Sequence, residues 1–478
     1  MIRNSIMGDT MKKVIIIGGG ISGLATAYLL KRRGAAEGVE MELTLLEKEP
    51  RVGGKIWSIH DQGYLCEWGP NGFLDSKPQT LELCRQLGIS DAVLRSNDNA
   101  RKRFIYADGI LHRLPENGSA FLKSKLISWP GKLRLAMEII ASKAPEDVDE
   151  TLAAFGRRRL GEEALRKLIA PMVSGIFAGD PETMSLKSCF PRIAELESEY
   201  GSLIMAMIKL AKKKKKEIAE GKAVSSAAGP GGVLTSFRDG IQTLTDCLAA
   251  KLGDAVVSKQ AALAVRRESG SGYRVETDQC ELKADAVILA TPADASATMV
   301  AGLDTFINHT LLAIPYASMT VVCNGYERSW FRQDLGGFGY LIPKEEGMNT
   351  LGTLWDSSIF RGRAPQGKVL LRSMMGGACF PKYIDLSDTE VNDRVQADLK
   401  KIMGIKAKPI FNRIFRHEKA IPQYTVGHGE RIAHLEVKLR EYPGLFLTGN
   451  AFRGIGLNDC VAAAEKCSRE AMAFLKRN

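Results

Sequence analysis

The chain has 478 residues, 45% hydrophobic and 25% charged, with a formal net charge of +11 and a pI near 9.1. Such a composition excludes a disordered or fibrous chain, and the length predicts two or three packed units rather than one core. The basic excess favours anionic partners, acidic head groups or a carboxylated small molecule, while 7% aromatics and no nucleic-acid module argue against nucleic acid.

Taken in chain order, residues 1–13 lack an apolar h-region, so no secretory signal is expected, and Met1, Met7 and Met11 leave the start open. Residues 14–30, VIIIGGGISGLATAYLL, begin with four β-branched residues that read as a buried strand. Gly18, Gly20 and Gly23 follow at G-x-G-x-x-G spacing and open a helix. The spacing suits a dinucleotide: a tight turn at Gly18, a diphosphate approaching Gly20, and close helix packing at Gly23. A second apolar strand ends at Glu47, whose carboxylate is placed for ribose hydroxyls. Arg51, Gly53, Gly54 and Lys55 come next, then GYLCEWGPNGF at 63–73.

Helical periodicity dominates residues 129–210. The stretch LIMAMIKLA, 203–211, is apolar nearly all round and runs into Lys212, Lys213, Lys214, Lys215 and Lys216, a pattern suited to the surface of an anionic membrane. No run reaches the roughly 18 apolar residues that span a bilayer, so a cytoplasmic protein, peripheral on the inner face of the membrane, is expected. Residues 220–232 read as a flexible linker. A βα-type stretch ends in ADAVILATPADA, and strand-rich sequence then runs from about residue 299 to 424. Residues 443–472 read as strand, glycine loop and helix. Nine cysteines without C-x-x-C spacing and six histidines without ligand spacing point away from disulfides and from any metal site.

The E-x-x-x-R-x-G-G run at 47–54 resembles the amine oxidase and porphyrinogen oxidase superfamily of flavoproteins. RKRFIYADG (101–109), SGIFAGD (174–180), IPQYTVGH (421–428) and GNAFRGIGLNDC (449–460) are similar to protoporphyrinogen oxidases in particular, in the expected order over nearly the whole chain. The resemblance implies an α/β, multidomain fold: a Rossmann-like FAD-binding domain from segments 1–85, 216–295 and 426–478, a helical membrane-associating insertion at 86–215, and a mixed-sheet substrate domain at 296–425. It implies non-covalent FAD on Gly18, Gly19, Gly20, Ile21, Ser22, Gly23, Glu47, Lys48, Arg51, Gly53, Gly54, Lys55, Gly69, Pro70, Asn71, Gly72, Ala262, Ile455, Gly456 and Leu457. For the substrate it implies Arg103 on a propionate, Gly175 beside the tetrapyrrole, and Phe338, Leu341, Leu354 and Met374 against its pyrrole rings.

Such an enzyme removes six hydrogens from a porphyrinogen in three two-electron oxidations and passes the electrons to dioxygen, releasing hydrogen peroxide. Positioning carries this chemistry, so no catalytic side chain is assigned. Coproporphyrinogen III oxidases of the Gram-positive type share much of the pattern; Arg103 in RKRF and Asn458 in GLNDC look more like the protoporphyrinogen enzymes. Remoter alternatives are an amine oxidase and a non-catalytic escort of prenylated GTPases. A homodimer is compatible with this reading.

Overall fold

A computed structural model describes residues 11–145, 148–219, 232–268 and 272–477. The linker expected at 220–232 lies almost wholly outside the described residues, as does the amino terminus to residue 10. Five parallel strands form the first sheet, in the spatial order Val256–Ser258, Met41–Glu47, Lys12–Ile17, Ala286–Leu289, Leu445–Leu447. By position along the chain this is 3-2-1-4-5, the doubly wound order, with its switch point between Lys12–Ile17 and Ala286–Leu289. Val14 and Ile16 face the helices Ile21–Glu37 and Leu457–Leu475, while Ile15 and Ile17 face the layer holding Ala293–Val300 and Thr305–Leu312. Both faces are covered, which is why these strands are continuously apolar. A three-stranded meander, Ala262–Arg267, Tyr273–Thr277 and Glu281–Ala284, is inserted before Ala286–Leu289.

The second sheet has seven strands, in the order Phe411–Pro422, Tyr316–Glu327, Lys368–Gly376, Thr350–Leu354, Gly339–Leu341, Arg103–Ala107, Ile110–Arg113. It is mixed: Gly339–Leu341 runs parallel to Arg103–Ala107, and the other pairs are antiparallel. Helices between residues 118 and 219 form the remaining layer. The lysine-rich segment is the end of one helix, Leu203–Ala219. Among the described residues, no helix is long and apolar enough to cross a membrane.

Candidate functional site

The glycine loop closes over the switch point. Gly18 adopts a φ of +107°, and a Cβ there would sit 2.9 Å from the Ala290 carbonyl oxygen; at Gly23 a Cβ would lie 1.9 Å from the Gly18 oxygen. These two glycines therefore let the turn and helix close. Gly20 differs: a Cβ built there meets no heavy atom within 4 Å among the described residues, so its bareness leaves open space at the amino end of Ile21–Glu37. That helix has no side-chain cap and no acid in its first turn, leaving the N–H groups of Ile21, Ser22 and Gly23 for an anion. The Glu47 carboxylate is held by the Gly19 N–H at 2.8 Å and the Glu49 N–H at 2.9 Å. Gln260 N–H donates to the Glu47 carbonyl, which brings Ala262 alongside this end of the cradle. Lys48 is exposed and paired with Glu49.

Residues 51–57 lock beside the glycine loop. Gly53 N–H donates to the Gly19 carbonyl at 2.7 Å, and Gly54 lies against Gly20. Arg51 spends donors on the carbonyls of Val52, Gly54 and Ile56, and its guanidinium stacks over Trp57 and Trp68. Lys55 Nζ donates to the Ala420 carbonyl and faces the Tyr316 ring; burial pushes its ammonium down to about 8, opposed by Asp294 and by Cys460. Gly69 and Gly72 fit tightly, with Cβ positions 2.1 Å from the Lys55 oxygen and 2.3 Å from the Thr235 oxygen. Between them, Asn71 is buried and its Oδ1 has no partner among the described residues, a group left for a ligand to satisfy.

The late loop completes the cradle. Gly456 caps the helix Leu457–Leu475, with its N–H on Asp459; Leu457 is buried, and Ile455 packs towards the helical layer. The Cys460 thiol meets the Ser22 hydroxyl, so the first turns of the two helices converge. Asn458 points away: it accepts from the Thr80 hydroxyl and donates to the Leu74 carbonyl. Its side-chain amide is spent on packing these two segments together.

The expected substrate residues gather on one face of the seven-stranded sheet. Gly339 is in register with Arg103 and with Leu354, Leu354 with Arg372, and Gly352 with Met374. Side chains alternate along strands, so Leu341, Leu354 and Met374 share a face. Gly175, in the helix Ala170–Phe177, opposes Leu341: a Cβ on it would come within 2.7 Å of Leu341 Cδ2. Phe338 packs with Leu354, Met374 and Phe360, and the Arg103 guanidinium lies 5.4 Å from the Phe338 ring centroid. Arg103 is exposed at the rim and makes no ion pair among the described residues; neighbouring Arg101 is paired with Asp98. Among the described residues, Arg103 therefore stands as a free cation at the edge of an apolar face.

Sequence reasoning missed a buried polar group joining the two halves. Arg372 Nη1 donates to the Gly69 carbonyl at 2.9 Å, Arg372 Nε lies 3.1 Å from Asp356 Oδ2, and Asn71 Nδ2 donates to Asp356 Oδ1. Nearby, fully buried Glu67 is paired with Arg363 and takes hydrogen bonds from Ser58 and the Ile241 N–H. Burial pushes the carboxyls of Glu67 and Asp356 up, against the pull of these arginines. Arg372, a charge in the middle of the otherwise apolar, buried part of the run KVLLRSMMG, was the available signal.

A doubly wound sheet with an open glycine cradle, facing an apolar sheet with one free cation, defines a flavin-dependent oxidoreductase. The chain matches the family described as flavin containing amine oxidoreductase over residues 21–472, and it belongs to that family; its cofactor is FAD. It is 33% identical over 479 residues to the coproporphyrinogen III oxidase of Bacillus subtilis, covering 98% of this chain and 100% of the relative. It is 30% identical to the chloroplastic protoporphyrinogen oxidase of Nicotiana tabacum, covering 97% and 86%. A crystal structure from Exiguobacterium sp. 255-15, provisionally named protoporphyrinogen oxidase, superposes with a TM-score of 0.82 at 27% identity, covering 97% of this chain and 99% of that one.

Proposed function

We propose that the chain oxidises protoporphyrinogen IX to protoporphyrin IX within haem synthesis. Six hydrogens leave in three two-electron steps, and three dioxygen molecules become three of hydrogen peroxide. The observation that carries this reading is unpaired Arg103 at the rim of the apolar face of Leu341, Leu354 and Met374. A guanidinium fork suits a propionate, and the apolar walls suit the side of the macrocycle that bears vinyl groups.

FAD supplies the two-electron acceptor when bound. Gly18 to Gly23 take its diphosphate at the helix end, Glu47 the ribose, and Ala262 lies by the adenine side. Lys48, Arg51, Gly53, Gly54 and Lys55 border the diphosphate, Gly69, Pro70, Asn71 and Gly72 follow the ring, and Ile455, Gly456 and Leu457 close over it. The chain's own part is geometric: Arg103 fixes one edge of the macrocycle, while Gly175, Phe338, Leu341, Leu354 and Met374 flatten it and exclude water.

A second reading, coproporphyrinogen III as substrate, is favoured by the end-to-end match to the Bacillus relative. Purified FAD-loaded protein given either porphyrinogen under air, with porphyrin fluorescence and peroxide followed together, separates the two. Preference for coproporphyrinogen replaces the first reading with the second; activity on neither overturns both.

The protein also rests on the membrane in this proposal. Trp129, Leu133, Met137 and Ile140 recur at helical spacing and are 71%, 66%, 46% and 77% exposed. Helix Leu203–Ala219 packs beside them with Met207 and Ile208 exposed, and exposed Lys212, Lys213 and Lys215 are placed for anionic head groups.

A further inference from the structure

We propose that Arg372, held by Asp356, is the positioning residue that fixes the flavin-ring segment against the substrate sheet and so sets the spacing for hydride transfer; this rests on the porphyrinogen reading above. Arg372 belongs to the strand Lys368–Gly376, two residues before Met374, and so lies on the same face. It is in register with Leu354, another wall of that face. From there its Nη1 crosses to the other half of the molecule and donates to the carbonyls of Gly69, at 2.9 Å, and Glu67, at 3.4 Å. Asp356 reaches the same segment two residues on, accepting from Asn71 Nδ2 at 3.1 Å. Pro70 is thus bracketed by two grips from one buried ion pair, whose members are 5% and 1% exposed.

The contact between the pair is coulombic, since at 3.1 Å the Nε–H is not aligned for a hydrogen bond. Buried ion pairs are poor stabilisers: well-packed apolar residues of similar volume often serve as well or better. What such a pair supplies beyond packing is direction, because a guanidinium fixed on one carboxylate presents its other N–H groups at set angles. Here those groups set the height of the Gly69–Pro70–Asn71 backbone above Leu354 and Met374. The neighbouring Glu67–Arg363 pair also spans the two sides: Arg363, from the substrate segment, reaches Glu67 and the Ser236 hydroxyl, while Glu67 accepts from the Ile241 N–H. Arg372 makes the second link, to the Gly69 carbonyl itself.

The test uses FAD-loaded full-length Arg372→Gln, Arg372→Lys and Asp356→Asn proteins. Expected for Arg372→Gln is a slower anaerobic flavin reduction by porphyrinogen, about 100-fold for a misplacement near 1 Å, with KM little changed. A shifted visible flavin band and a more negative reduction potential should accompany it, both read without substrate. Asp356→Asn should show the slower reduction and the band shift more weakly, without the negative shift in potential, and Arg372→Lys should recover part of the rate, since an ammonium can still reach one carbonyl. If Arg372→Gln does not fold, the Lys and Asn variants carry the test. Wild-type reduction rates, spectrum and potential in the FAD-saturated variants would overturn the proposal, as would lowered melting temperature alone. Wild-type protein inert towards both porphyrinogens, with band and potential still moved by Arg372→Gln, would overturn the substrate reading and keep the positioning role.

Discussion

Tyr424 and His428 stack with ring centroids 4.1 Å apart and planes 13° from parallel. The Tyr424 hydroxyl donates to the Asn450 carbonyl, and His428 Nε2 meets the Phe452 carbonyl at 3.0 Å. The two rings of the IPQYTVGH motif therefore brace the loop that leads to Ile455, Gly456 and Leu457. Burial pushes His428 down to about 4, helped by Arg431 and Arg453 and opposed by the Phe452 bond. Its native pKa is thus below that of the unfolded chain, near 6.5.

Between about 4 and 6.5 the unfolded chain binds the extra proton, so stability is complete above 6.5 and is lost as the pH falls through this window, by at most about 1.4 kcal/mol per pH unit. In His428→Phe, which keeps the stack, melting curves from pH 4 to 7 should lose this component of the slope. FAD should also dissociate more readily from the loosened loop. An unchanged slope would remove His428 as its source.

Lys55 predicts the opposite end of the pH scale. In the cofactor-free protein burial holds its ammonium at about 8, so the site is neutral there at higher pH. A diphosphate prefers the charged form, and FAD binding should therefore take up a proton and weaken by up to about tenfold per pH unit above 8. Fluorescence titrations of apoprotein with FAD between pH 7 and 10 measure this. Lys55→Met should bind weakly with no slope, and Lys55→Arg should bind with little slope; a steep slope in Lys55→Met would assign the effect elsewhere.

The parts legible in the sequence were those carried by local spacing. Gly18, Gly20 and Gly23 are close neighbours in the chain, and Glu47 ends the next strand, so the cradle could be read directly. The third and fifth strands of the flavin sheet arrive from Val256 and Leu445, and periodicity alone cannot pair them with Lys12–Ile17. The Arg103–Ala107 and Ile110–Arg113 hairpin shows the same limit. It lies in a stretch followed by helices, yet pairs with Gly339–Leu341, more than 200 residues later. The motif GLNDC marks Asn458, but the contacts of its amide with Thr80 and Leu74 are visible only once segments nearly 400 residues apart are brought together. Arg372 went unread because a charge in an apolar strand discloses its partner only once Gly69 and Asp356 are placed beside it.

Arg103 makes a prediction about binding rather than chemistry. Removing one side of a charge-assisted carboxylate contact costs about 1.5–3 kcal/mol, so Arg103→Ala should raise the porphyrinogen KM roughly 10- to 100-fold and leave kcat within a few-fold. Arg103→Lys should recover only part, lacking the planar fork. Phe338→Leu, which removes the ring beneath the guanidinium, should raise KM by a smaller factor through looser orientation. Equal losses in kcat and kcat/KM for Arg103→Ala, with KM unchanged, would mean that the arginine acts in the transition state and not as a clamp.

The apolar stripe offers a test independent of the redox site. Trp129, Leu133 and Ile140 are exposed on the helical layer, and none of them is among the residues assigned to FAD or substrate. Burying such side chains in lipid is worth about 1.5–3 kcal/mol each, so replacing all three with serine should reduce partition onto anionic vesicles by more than 100-fold. Turnover of detergent-solubilised porphyrinogen should stay near wild type. Replacing Lys212, Lys213 and Lys215 with glutamine should instead weaken binding at low salt and matter little at high salt, because head-group attraction is screened there. Flotation of the three proteins with and without added salt reads both effects. Undiminished flotation of the serine variant would show that this stripe is not the membrane face.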